Sequence, residues 1–126
     1  MRRMLIVDDE RDICDCLEQF FSTRGFSVVC AYSGEAALKY LAQASADVML
    51  LDIVLPGLSG IDVLKQVKAL APATQVLVVT AVDQGETREA ARRYGAAAYI
   101  TKPFDFDEST WSVVLTASTE HRPPHR

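Results

Sequence analysis

Residues 48–53 read VMLLDI, and the chain continues VLPGLSG to residue 60. Four consecutive apolar residues have the length and pattern of a strand that is buried on both faces of a sheet. Because burying an ionised carboxylate is costly, Asp52 is expected to lie at the rim of the core, close to water. Ser59 is a good N-cap for a following helix. The stretch therefore predicts a buried strand that ends in a carboxylate, then a loop and a helix.

The same alternation of strand-length apolar runs and helix-period segments recurs along the chain. Strands are predicted at residues 4–7, 26–31, 47–51, 75–80 and 97–100. Helices are predicted at 10–23, after Ser33 and Ser59 as N-caps, at 86–94, and from Asp105 to about Ala117. Five strand-helix units predict one α/β domain with a parallel sheet and right-handed crossovers. We assign residues 1–117 to this domain and 118–126 to a solvated tail or the start of a linker.

Composition narrows the class of protein. The chain has 126 residues and a net charge of -4, which argues against direct nucleic-acid binding by this domain. No apolar run approaches the roughly 18 residues of a membrane span, and the apolar part of MRRMLIVDD is too short for a signal peptide. We therefore expect a cytoplasmic protein without membrane association. Cys14, Cys16 and Cys30 are interpreted as small buried hydrophobic residues rather than disulfide partners.

Polar side chains follow or end four of the predicted strands. They are Asp8 and Asp9, Asp52, Thr80, and Lys102. The carboxyl ends of parallel strands share one edge of a sheet, so these side chains are expected to meet in one crevice. Three ionised carboxylates need cations nearby, and one lysine can neutralise only part of the cluster. Magnesium (Mg2+) suits the remaining carboxylate oxygens, and an aspartate beside it can act as a phosphoryl acceptor.

Four blocks of this sequence resemble the receiver domains of bacterial two-component response regulators, including chemotaxis-type regulators. The blocks are VDDE at 7–10, LLDIVLPGLSG at 50–60, VVTA at 78–81 and YITKPF at 99–104. The resemblance covers residues 3–108 in matching order and spacing. It implies a flavodoxin-like, doubly wound sheet of five parallel strands in the order 2-1-3-4-5, with helices on both faces.

The resemblance also implies a role for each residue of the crevice. Asp52 is expected to be the phosphoacceptor for a sensor histidine kinase or a phosphotransfer protein. Asp9 and Asp52 are expected to bind Mg2+ directly, together with the backbone carbonyl of Val54, while Asp8 acts mostly through a coordinated water. Lys102 is expected to hold a phosphoryl oxygen.

A conformational switch is the second implication of the resemblance. Thr80 would donate its hydroxyl to the phosphoryl group, Tyr99 would turn inward behind it, and Pro103 would follow a cis peptide bond. The surface formed by the fourth helix, the fifth strand and the fifth helix would then bind an output domain or an effector protein. A phosphorylation-dependent homodimer is compatible with this expectation.

The sequence departs from the family pattern at several positions. Val54 and Val82 offer no polar group to orient an attacking water, so we expect slow autodephosphorylation and no other enzymatic activity. Ala97 and Ala98 stand where many winged-helix regulators carry acidic residues for dimer salt bridges, which argues against that dimer. The stretch at 51–68 is closer to the receivers of enhancer-binding activators.

Two other functions stay open at this point. One is a receiver-like adaptor that acts without phosphorylation. The other is a Mg2+-dependent phosphohydrolase with an aspartyl nucleophile, which is disfavoured because Val54 occupies the place of the second aspartate such enzymes typically use. A nucleotide or flavin binder is disfavoured further, since the chain has no GxxxxGK phosphate-binding loop.

Overall fold

The structure, a computed structural model, describes residues 1–115. Five strands alternate with four helices in this part of the chain. Their order is β1 (Arg2–Val7), α1 (Arg11–Ser22), β2 (Phe26–Ala31), α2 (Gly34–Gln43), β3 (Val48–Leu51), α3 (Gly60–Leu70), β4 (Gln75–Thr80), α4 (Gly85–Arg93) and β5 (Ala98–Thr101). None of the helices within these residues is long and apolar enough to cross a membrane.

The strands form one parallel sheet in the order β2-β1-β3-β4-β5. This confirms the flavodoxin-like order 2-1-3-4-5. The order reverses between β1 and β3, where ligands bind in sheets of this kind. At that point Val7 pairs with Leu51. The register therefore places the next residue of each strand, Asp8 and Asp52, side by side at the carboxyl edge.

Helices cover both faces of the sheet, as expected. On one face, Cys14, Leu17 and Phe21 of α1 pack against β1, β3 and β4 together with Trp111 from the C-terminal segment. On the other face, buried residues of α2, α3 and α4 pack against the same central strands. Every residue of β3 is buried. The uninterrupted apolar run VMLL thus reflects a strand covered on both sides.

The predicted serine caps are present, and one glycine fixes the loop after β3. The Oγ atoms of Ser33 and Ser59 accept hydrogen bonds from Ala36 N–H (3.1 Å) and Asp62 N–H (3.2 Å). The Gly60 N–H donates to the Ile53 carbonyl at 3.0 Å. A Cβ on Gly60 would overlap the Cα of Ile53. Only glycine therefore allows α3 to begin this close to the chain that carries Asp52.

The largest difference from the sequence prediction lies after β5. The prediction of a helix from Asp105 is wrong for residues 105–111, which form a loop and turns. Only residues 112–115 of the predicted helix that the structure describes form a helical turn. Trp111 explains the difference, because its ring packs edge-on against Phe104 and its Nε1–H donates to the Asp105 carbonyl at 2.9 Å. The predicted helix end near Ala117 and the domain boundary at 117 lie outside the described residues.

The cysteines are only partly buried. Cys14 is buried, Cys30 is half-buried and Cys16 is exposed. The interpretation of all three as buried residues is thus wrong for Cys16, which lies on the outer face of α1. All three thiols are free, as expected from their spacing.

Candidate functional site

The site is built on two buried aspartates at the carboxyl ends of β1 and β3. Asp8 is 3% exposed and Asp52 is 5% exposed. In each aspartate, one carboxylate oxygen accepts a hydrogen bond from the backbone N–H two residues later. Glu10 N–H donates to Asp8 Oδ1 and Val54 N–H donates to Asp52 Oδ1, both at 2.9 Å. These two hydrogen bonds aim the other oxygen of each carboxylate into a common space. Asp52 is thus more buried than the sequence suggested, and hydrogen bonds offset that burial.

Lys102 occupies the space between the two aspartates. Its Nζ donates to Asp8 Oδ2 at 2.7 Å, to Asp52 Oδ2 at 2.8 Å and to Glu10 Oε1 at 2.7 Å. The side chain is 11% exposed. Its backbone N–H donates to the Thr80 carbonyl at 2.8 Å, which ties the end of β5 to β4. The Lys102–Pro103 peptide bond is cis, as the resemblance implies.

The charges of the site do not balance. Three carboxylates surround one ammonium, which leaves a surplus of two negative charges (three minus one) when all are ionised. Burial raises the pKa of Asp8, although the hydrogen bond from Lys102 opposes this. Burial alone would lower the pKa of Lys102, but its hydrogen bonds to Asp52, Asp8 and Glu10 raise it above the ordinary value. Lys102 is therefore a permanent cation in a site that still lacks positive charge.

The donor set fits a hard divalent cation. One carboxylate oxygen from each of Asp8, Glu10 and Asp52 lies within 4.8 Å of the others. Oxygen ligands of this kind, with room for water, suit Mg2+. An open depression of about 500 Å³ adjoins the site and is lined in part by Asp9 and Glu10. The expected Mg2+ chemistry is thus compatible with the residues that are present.

The positions of the Asp9 and Glu10 carboxylates are the part of the site that differs most from the sequence prediction. Asp9 is exposed and is not a member of the close carboxylate group, whereas Glu10, to which we assigned no role, is. The sequence contained a weak signal for Glu10. It stands at the N-cap of α1, where serine, threonine, aspartate or asparagine is preferred. A glutamate at this position suggests that its carboxylate has another partner.

Thr80 and Tyr99 both contact Val82, two residues beyond β4. Thr80 is fully buried, and its Oγ1 accepts a long hydrogen bond of 3.4 Å from Val82 N–H. The Tyr99 hydroxyl donates to the Val82 carbonyl at 2.7 Å, and the guanidinium of Arg88 lies 4.6 Å above its ring. Burial raises the pKa of Tyr99. The loop after β4 is thus held at one residue by both predicted switch side chains.

Comparison with known proteins identifies the family. The family model described as the response regulator receiver domain matches residues 4–113. The chain belongs to this family. The receiver domain is 41% identical over 108 residues to the regulatory protein AtoC of Escherichia coli K12. That match covers 86% of this chain but only 23% of AtoC, so the receiver domain spans about a quarter of that relative.

Solved structures support the same fold. A CheY-like receiver domain protein from Methanospirillum hungatei JF-1 superposes with a TM-score of 0.88 at 27% identity, covering 95% of this chain and 98% of the other. The response regulator TrrA of Thermotoga maritima, in complex with Mg(2+)-BeF, superposes with a TM-score of 0.78 at 32% identity, covering 90% and 97%. The receiver domain therefore shares both its fold and its sequence family with these proteins.

Proposed function

We propose that this receiver domain accepts a phosphoryl group on Asp52 from a cytoplasmic histidine kinase or phosphotransfer protein. The observation that carries the proposal is the shared contact of Lys102 with Asp8 and Asp52 at the point where the strand order reverses. AtoC is a regulatory protein, and a receiver that forms a small part of a longer chain fits control of an output domain or effector.

The side chains have distinct tasks in this reaction. An oxygen of Asp52 attacks the phosphorus atom, and the bond between phosphorus and the donor's nitrogen or oxygen breaks, so the donor leaves with the electron pair. Lys102 donates a hydrogen bond to a phosphoryl oxygen. Mg2+, held by Asp8, Asp9, Asp52 and the Val54 carbonyl, with Glu10 close by, would supply further positive charge to the phosphoryl oxygens.

The switch follows from the contacts of Val82. In the proposed phosphorylated state Thr80 gives up its long hydrogen bond with Val82 N–H and donates its hydroxyl to the phosphoryl group. The Tyr99 hydroxyl is hydrogen-bonded to the Val82 carbonyl. A shift of Val82 would therefore move Tyr99 and change the surface between α4 and β5. This is the surface at which we propose that a partner, or a second receiver, binds. A shift between two existing conformations is sufficient for this purpose.

Intact-mass spectrometry after incubation with acetyl phosphate tests the proposal. The wild type is expected to gain one phosphoryl group in the presence of Mg2+ and none in the presence of a chelator. Asp52→Asn is expected to gain none. Asp47→Asn is a matched control, since it makes the same charge change at the opposite edge of the sheet. An adduct that persists in Asp52→Asn would show that another residue accepts the phosphoryl group, and no adduct on the wild type would leave a receiver-like adaptor as the better function.

The lifetime of the phosphoryl group is a second measurable property. Val54 is 57% exposed beside Asp52 and Val82 is half-buried, and neither can orient a water. We expect slow loss of the phosphoryl group from the wild type and faster loss from Val54→Gln, followed by the decay of the adduct mass. Val113→Gln, on the exposed side of the C-terminal turn, is the control. Equal decay rates in all three proteins would contradict the role of the valines.

A further inference from the structure

Glu10 binds Lys102 instead of capping its own helix. The Glu10 carbonyl accepts the first hydrogen bond of α1, from Cys14 N–H at 3.2 Å. Its side chain makes no capping hydrogen bond, although an N-cap side chain commonly satisfies one of the free amides of the first turn. The carboxylate turns to Lys102 Nζ, at 2.7 Å. The Glu10 backbone lies against the same site, because its N–H donates to Asp8 Oδ1 at 2.9 Å.

The three contacts of Lys102 differ in how easily they can be given up. An ammonium has three N–H donors, and all three are used, one for each carboxylate. A new hydrogen bond to a phosphoryl oxygen therefore requires one existing contact to break. Asp8 and Asp52 are buried, whereas the Glu10 side chain is 60% exposed and can be solvated by water. Release of Glu10 leaves no buried charge unpaired.

We propose that Glu10 is a positioning residue that holds Lys102 in the unphosphorylated receiver and is exchanged for the phosphoryl oxygen when Asp52 reacts. This inference rests on the proposed function of Asp52. The contact stabilises the starting state and is lost on the way to the product, so it slows phosphorylation. It does not affect the phosphorylated state, in which Lys102 has already left Glu10.

Glu10→Gln and Asp12→Asn are the matched pair that tests the exchange. Both remove one negative charge beside the same depression, but Asp12 is not among the partners of Lys102. Glu10→Gln also leaves helix capping unchanged, since the wild-type side chain makes no capping bond. Any effect common to both variants reports the general loss of charge.

The first measurement is made without metal or phosphodonor. Proton-nitrogen correlation NMR of the lysine ammonium groups is expected to show a shifted or broadened Lys102 signal in Glu10→Gln and an unchanged signal in Asp12→Asn. A Lys102 signal that is the same in all three proteins would show that Glu10 does not hold the ammonium in solution, which would overturn the inference.

The second measurement compares rates at saturating Mg2+. Loss of one partly exposed ion-pair contact corresponds to about a two- to fivefold change. Glu10→Gln is therefore expected to be phosphorylated by acetyl phosphate about two- to fivefold faster than Asp12→Asn, with the same adduct lifetime. An equal or slower rate would overturn the inference alone. A wild type that forms no adduct would overturn the proposed function and the inference with it.

Discussion

At the scale of single residues, Asp8 shows how the site maintains charge at the edge of a core. Its carboxylate is buried, yet both oxygens are hydrogen-bonded, one by Glu10 N–H and one by Lys102. These bonds do not compensate fully for lost hydration, so the pKa of Asp8 lies above its ordinary value of 3.8. The folded protein therefore holds a proton on Asp8 over a pH range in which the unfolded chain has released it. Burial of the ionised Asp8 carboxylate therefore destabilises the folded state, and a cation bound to the carboxylate would offset this effect.

The pH dependence of stability follows from this shift. Because the folded state binds more protons than the unfolded state above pH 3.8, the contribution of Asp8 to the free energy of unfolding falls as pH rises from 3.8 through the raised pKa. In metal-free buffer the wild type is expected to lose stability relative to Asp8→Asn across this window, measured by urea unfolding at a series of pH values.

Asp107 provides a control of opposite sign for the Asp8 measurement. The backbone hydrogen bond from Thr110 N–H lowers the pKa of Asp107 below 3.8. Its stabilising contribution is present above pH 3.8 and is lost as pH falls through the lowered pKa. The wild type should therefore gain stability relative to Asp107→Asn with rising pH, in a window below 3.8. A difference between wild type and Asp8→Asn that does not change with pH would contradict the assignment.

Residue types predicted most of the site, but the direction of side chains was not available from the sequence. Asp8, Asp52 and Lys102 were predicted to meet because each follows a strand at one edge, and the structure brings them together. Asp9 and Glu10 are consecutive, and only the backbone conformation at the start of α1 decides which carboxylate reaches Lys102. No spacing rule contains that information, so Glu10 was missed.

At the scale of elements, the start of α3 controls the loop that follows Asp52. Gly60 has no room for a Cβ because the Ile53 backbone lies against it, and its N–H is bonded to the Ile53 carbonyl. Gly60→Ala is expected to destabilise the receiver by several kcal/mol, since α3 and the loop would have to separate. Chemical denaturation followed by circular dichroism measures this loss.

Gly85 is the matched control for Gly60. It also begins a helix, α4, but a Cβ there would meet no atom within 4 Å. Gly85→Ala is expected to be neutral or to stabilise by up to about 1 kcal/mol through helix propensity. Similar destabilisation by both substitutions would show that glycine matters for a reason other than the close approach to Ile53.

Elements with a clear period were predicted well, and the segment without one was not. The ends of β2 and β4 match the prediction, and the other strands differ by one or two residues. After β5, the segment has no strong helix preference, since Ser109, Thr110 and Ser112 are poor helix formers. Its aromatic side chains Phe104, Phe106 and Trp111 pack against one another or against α1. These tertiary contacts have no signature in the sequence pattern, so the loop and turns at residues 105–111 were not predicted.

At the scale of the whole molecule, the site lies at the edge shared by the two hydrophobic layers. Asp8 and Asp52 extend from the two central strands that both layers bury. Charge repulsion between them therefore acts on the buried centre of the sheet rather than on a peripheral loop. Any cation that relieves the repulsion should stabilise the entire receiver.

Metal removal tests this link between the site and global stability. A ligand that binds only the folded state adds RT ln(1 + [L]/Kd), or about 1.4 kcal/mol when Mg2+ is present at ten times its Kd. Urea unfolding of the wild type is expected to show this gain in Mg2+ and to lose it in chelator, whereas Asp52→Asn gains less because it lacks one anionic oxygen. Sodium chloride of equal ionic strength separates binding from general screening. If that salt reproduced the gain, or if Asp52→Asn gained as much as the wild type, Mg2+ would not be acting at the carboxylates of β1 and β3.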